Sequence, residues 1–157
     1  MGANRSAQKT RVSHITVAAS TVLACALLSA CGPKQHREHG YVFVDWYIVK
    51  PVVATGMTTA YGKITNSRAE AVILEAVSLD CADKVELHET IETAGRVSMV
   101  SLAAISIPPG ETVAFLPGKK HLMVTGLRQP VGAACQATFR LAGASCKFEI
   151  PVRERKE

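Results

Sequence analysis

The chain is poor in aromatic residues, which make up 5% of it and include one tryptophan, and it has no acidic residue before position 31. No stretch carries a sustained 3.6-residue apolar period with capping residues at its ends, so long amphipathic helices are not expected. No internal repeat and no low-complexity tract is visible. Basic residues are not clustered with interleaved aromatics, which removes the usual footprint of nucleic-acid binding. No G-x-S-x-G occurs, and no histidine has a recognisable nucleophile partner, so a hydrolase is not expected. An uncharged apolar run over residues 15–30 is short of the roughly 20 residues that span a bilayer.

What is present suits one packed domain. Of 157 residues, 48% are hydrophobic and 20% charged. Residues 1–30 read as a secretory signal: Arg5, Lys9 and Arg11, then a short apolar region, then small residues. Leu28-Ser29-Ala30-Cys31 resembles a bacterial lipobox, in which the cysteine is acylated and becomes the first mature residue. That implies a domain lipid-anchored through Cys31 at the periplasmic face of a bacterial membrane, with Gly32 favouring the outer membrane. Without the signal, 15 basic residues face 13 acids, so the pI of 9.1 mainly reflects a discarded segment. Cys81, Cys135 and Cys146 remain beyond the anchor, which allows one disulfide and one spare thiol in an oxidising compartment. Their pairing stays open.

Residues 31–40, polar with Gly and Pro, are expected to form a flexible tether. From 41 to 153 the chain is a series of short β-branched and apolar runs punctuated by Pro and Gly. These are 41–49, 57–66, 71–79, 84–90, 96–102, 111–116, 121–127, 135–141 and 146–152. That spacing predicts an all-β sandwich or barrel. A charged tail covers 154–157.

Two of these runs carry soft metal ligands. In "HLMVT", strand alternation turns Leu122 and Val124 one way and His121, Met123 and Thr125 the other. In "KVELHET", His88 shares a face with Glu86 and Thr90, opposite Val85 and Leu87. Met99 comes within reach if the segments flanking Gly95 form a hairpin. Imidazole and thioether together suit Cu(I). Zinc prefers thiolate, imidazole and carboxylate, and calcium and magnesium prefer oxygen. A blue-copper centre is rejected, because nothing after Cys135 or Cys146 is His or Met. Glu86 and Glu89 are read as solvated charges or as support for the His88 imidazole. His36 and His39 are read as part of a solvated linker, with copper collection as the alternative. Met57 is expected to pack in the core or at an edge, and Trp46 to fill the core.

The spacing His88-x10-Met99-x21-His121-x-Met123 resembles the ligand motif of the periplasmic copper chaperones of the PCuAC family. The words "VELHET", "IPPGETVAFLPGKKHLMVTGL" and "FEIPV" are similar to that family as well, over roughly residues 42 to 153. The resemblance implies a cupredoxin-like Greek-key β-sandwich and no enzymatic activity. It also implies one Cu(I) at the surface, held by His88, Met99, His121 and Met123. The implied partners are the copper-binding subunit of cytochrome c oxidase and thiol-disulfide copper proteins. The alternatives are a lipoprotein for copper scavenging or tolerance, and a metal-free β-sandwich binding module. The three cysteines depart from the common family pattern and are read as structural.

Overall fold

The computed structural model of the chain describes residues 34–52, 56–128 and 132–154. The expected signal 1–30, Cys31 and residues 155–157 of the tail lie outside them. Among the described residues the regular elements are all strands, as expected. They are β1 (Gln35–Glu38), β2 (Tyr41–Val49), β3 (Thr58–Asn66), β4 (Val72–Leu79), β5 (Lys84–Thr93), β6 (Arg96–Leu102), β7 (Ile105–Ile107), β8 (Thr112–Phe115), β9 (Lys120–Thr125), β10 (Ala134–Leu141) and β11 (Ala144–Arg153).

The strands hydrogen-bond in the order β6-β5-β9-β3-β2-β11-β10-β4-β7, with β1 added to β2 and β8 to β3. One layer holds β6-β5-β9-β3-β2 and the other holds β11-β10-β4-β7. Among the described residues, strand pairing joins them only where the end of β11 runs parallel to β2, at Val152↔Ile48 and Arg153↔Val49. Strand alternation supplies the core. Cys135, Ala137, Phe139 and Leu141 of β10 point inward, as do Leu122 and Val124 of β9, and all are buried. Phe43 and Trp46 of β2 meet Phe139 of the facing layer at ring-centroid distances of 5.0 and 4.7 Å.

Phe43 and Trp46 are three apart, so strict alternation would turn them to opposite faces. A bulge resolves this: the β2–β3 register shifts between Val44 and Tyr47, and Asp45 takes a left-handed φ of 54°. Trp46 therefore fills the core as expected, and its indole N–H donates to the Lys63 carbonyl at 2.9 Å. The ring lies flat against Gly62, where a Cβ would come within 2.3 Å of it.

The expected tether over 31–40 must be corrected. Residues 35–38 are strand β1, paired antiparallel with β2 from Gln35↔Val44 to Glu38↔Tyr41. Because β11 reaches β2 only at residues 48 and 49, the other half of that edge is free, and a free edge recruits a strand. The His39–Gly40 turn, with both φ positive, matches the two-residue hairpin geometry. His36 is consequently no solvated linker residue. Its ring stacks on Phe148 at 4.6 Å, and Nε2 lies 3.1 Å from the Glu38 carboxylate, which His39 approaches at 3.5 Å from the other side. The two imidazoles thus share a carboxylate.

The cysteine pairing left open by the sequence is Cys81–Cys135, with Cα atoms 5.8 Å apart. It ties the β4–β5 connection to the start of β10. Cys146 is buried in the core, and burial pushes its thiol up to about 11. No thiolate is offered at neutral pH.

Candidate metal centre

The centre lies on the outer face of the β6-β5-β9 edge. Strands β5 and β9 pair so that His88 stands directly opposite His121 and Glu86 opposite Met123. Strands β5 and β6 form a hairpin closed by Ala94 and Gly95, with φ of 51° and 73°, the left-handed pair that matches the twist of two strands. That hairpin puts Met99 opposite Thr90, diagonal to His88 on the same face. The four sequence-predicted ligands His88, Met99, His121 and Met123 therefore share one side of three adjacent strands.

The imidazole rings are 5.8 Å apart between centroids and tilted by 55°. That separation allows one ion between them at metal–nitrogen distances of about 2 Å. His121 is oriented by its backbone surroundings. The turn after β8 brings Gly118, at a φ of 71°, and then the Lys119 carbonyl, which accepts a hydrogen bond from His121 Nδ1 at 2.9 Å. A carbonyl only accepts, so the proton is on Nδ1 and the Nε2 lone pair is free. The same carbonyl accepts from the Thr90 backbone N–H at 3.2 Å, tying the turn to β5.

His88 is different. Both of its ring nitrogens are buried, and neither has a hydrogen-bond partner. An unsatisfied buried polar group destabilises a fold by about 1–3 kcal/mol. A buried orphan imidazole facing a second imidazole with a free lone pair fits a soft or borderline cation. Sequence alternation expected the whole set at the protein surface, but His121 is only 4% exposed. The outward strand face is covered here, and only Met99, at 57% exposure, stands well out of it. The Lys84 ammonium, 2.8 Å from Glu86, holds that carboxyl below its usual range, so an anionic oxygen lies across from Met123. Glu89 pairs with Lys120 on the reverse face, away from the imidazoles.

Met57 does not do what the sequence suggested. It is 53% exposed and belongs to no core cluster. Thr58, buried beside it, takes the inward position at the start of β3. A groove of about 480 Å³ lined by Tyr47, Tyr61, Arg153 and Thr59 opens on the same outer face, and Thr59 is the β3 partner of Met123. It was not legible in the sequence.

The sandwich is that of PCuAC domains. The chain superposes on a copper-bound PCuAC domain from PmoF2 with a TM-score of 0.65, covering 78% of this chain and 99% of that one at 18% identity. It superposes on the solution structure of CuI-DR1885 from Deinococcus radiodurans with a TM-score of 0.57, covering 69% and 74% at 20% identity. The chain belongs to the family described as "Putative lipoprotein LpqE-like", whose model matches residues 42–152. A relative from Leifsonia xyli subsp. xyli (strain CTCB07), "Putative lipoprotein Lxx21020", is 29% identical over 155 residues, 92% of each chain.

Proposed function

We propose that the protein is a copper metallochaperone that carries one Cu(I) on His88, His121, Met99 and Met123 and delivers it to cytochrome c oxidase assembly. The observation that carries this reading is the His88–His121 pair, one ring buried without a partner and the other held with Nε2 free. Thioethers flank the pair on both sides, and uncharged sulfur with imidazole favours the monovalent ion. The fold neighbours include proteins described as copper-bound, which supports the same reading. Cys31 would hold the domain at the periplasmic face of a bacterial membrane, in keeping with membership of a lipoprotein family.

Chemically the protein needs to grip and release, not to catalyse. Imidazole and thioether are neutral ligands, so an acceptor's donor atom can enter as one of them leaves. Cysteine-containing acceptors, with softer and anionic sulfur, draw the ion onward. The disulfide-bonded Cys81 and Cys135 and the buried Cys146 offer no competing thiolate.

Titrating the purified protein with Cu(I) tests the site. One equivalent is expected, and a stoichiometry that survives the Met99→Leu, Met123→Leu double substitution contradicts it. Copper transfer to a purified oxidase copper-binding domain tests delivery. A deletion strain that keeps oxidase activity under copper limitation, yet is sensitive to excess copper, would favour scavenging instead.

A further inference from the structure

Met57 is one of three methionines beyond residue 31, and the four-ligand site leaves it without a role. Its orientation is fixed by its neighbour. Thr58 is buried, and its hydroxyl donates to the Val49 carbonyl, so alternation turns Met57 to the outer face. Its place along the sheet follows from the pairing on either side. Thr59 pairs with Met123 and Thr58 with Val124, and the Leu127 N–H donates to the Gly56 carbonyl at 2.8 Å, one residue out of that register where Gly126 takes a positive φ of 70°. Met57 lies between these contacts, against the end of β9 and about one diagonal step from Met123.

Diagonal neighbours on one face have Cβ atoms within about 7–8 Å, which two methionine side chains bridge. The outer face therefore carries a line of donors: Met99, the imidazole pair, Met123, then Met57. Both ends of the line are more than half exposed, and the middle is covered. A single exposed apolar side chain needs no explanation by itself. An exposed thioether placed next to a thioether of the proposed site is a different matter, because Cu(I) exchanges ligands by adding one donor before losing another.

We infer that Met57 is an exchange ligand, a thioether through which Cu(I) enters and leaves the His88–His121 pair by way of Met123. This rests on the copper reading above. In the exchange step a copper–sulfur bond to Met57 forms and a copper–nitrogen bond to His88 breaks. The metal stays Cu(I), no proton moves, and His88 keeps its lone pair. Met57 contributes to rate and little to equilibrium affinity, since the resting ion is held by the other four groups.

The test is methyl NMR on the purified protein labelled with [methyl-13C]methionine, followed by copper-transfer kinetics. On adding Cu(I), the Met99 and Met123 methyl signals are expected to shift, and the Met57 signal to broaden as the ion exchanges across it. In Met57→Leu, competition against a chromophoric Cu(I) chelator should give unchanged affinity. Transfer to that chelator should be slower by on the order of tenfold, the loss of one weak contact at the transition state. A Met57 signal that stays sharp and unmoved while the other two shift overturns the inference and leaves the copper site standing. A Met57→Leu protein that transfers copper at the unsubstituted rate also overturns it. If no methionine signal moves, the copper reading itself fails.

Discussion

His88 and His121 face one another across β5 and β9, yet only His121 has a hydrogen-bond partner. The fold thus positions one ring by a backbone carbonyl and leaves the other as a buried imidazole with nothing to bond. This asymmetry separates binding from stability, and the two can be measured apart.

Replacing His88 by leucine is expected to stabilise the metal-free protein by about 1–3 kcal/mol, because an unsatisfied buried polar group is exchanged for an apolar one. The same change should abolish stoichiometric Cu(I) binding. Urea denaturation of the apo protein, alongside a Cu(I) titration, measures both. A His88→Leu protein less stable than its parent would mean that the ring finds a partner in solution.

Gly118→Ala isolates the turn that orients His121. A Cβ at Gly118 meets nothing within 4 Å, so the substitution is felt through the backbone at a φ of 71° and not through a clash. A loss of roughly 1–2 kcal/mol is expected. Cu(I) affinity should fall with it, because the Lys119 carbonyl that holds Nδ1 shifts. Gly110→Ala, also at positive φ with open space around it but in the turn before β8, should lose stability without losing affinity.

Acid should weaken the β1 hairpin. The hydrogen bond from His36 is the largest influence holding the Glu38 carboxyl below its ordinary value of 4.5, and the Lys147 backbone N–H and the charge of His39 act in the same direction. A depressed carboxyl stabilises the fold above its unfolded value and loses that contribution as pH falls through the folded one. The urea midpoint should therefore decline as pH is lowered below about 4.5. The decline should be shallower in Glu38→Gln.

Reduction of Cys81–Cys135 should be costly. The bond closes a 54-residue separation, and chain entropy assigns such a loop about 4 kcal/mol. Thermal unfolding with and without reductant measures it. Under native conditions Cys146 should stay unreactive towards a thiol reagent, since its thiol is buried and titrates near 11.

The faces of three candidate ligands were readable because they lie on strands with inward-facing apolar neighbours. Leu122 and Val124 fix where His121 and Met123 point, and Leu87 fixes His88. Less readable was whatever depends on partners distant in sequence. Strand β1, "QHRE", has no apolar alternation and exists because half of the β2 edge is free. Strand β7 is three residues long, too short for a period to show. One disulfide partner lies in the β4–β5 connection and the other in β10, so no local pattern pairs them. His121 follows the alternation and is nevertheless covered, because alternation gives direction and says nothing of what lies above the sheet.

The short junction of β11 with β2 has a consequence for how the two layers hold together. Among the described residues, only the pairing at Val152 and Arg153 joins, strand to strand, the layer that carries His88 and His121 to the layer beneath it. A chain clipped before residue 152 would leave those strands on an unsealed platform, so two residue pairs act as the latch.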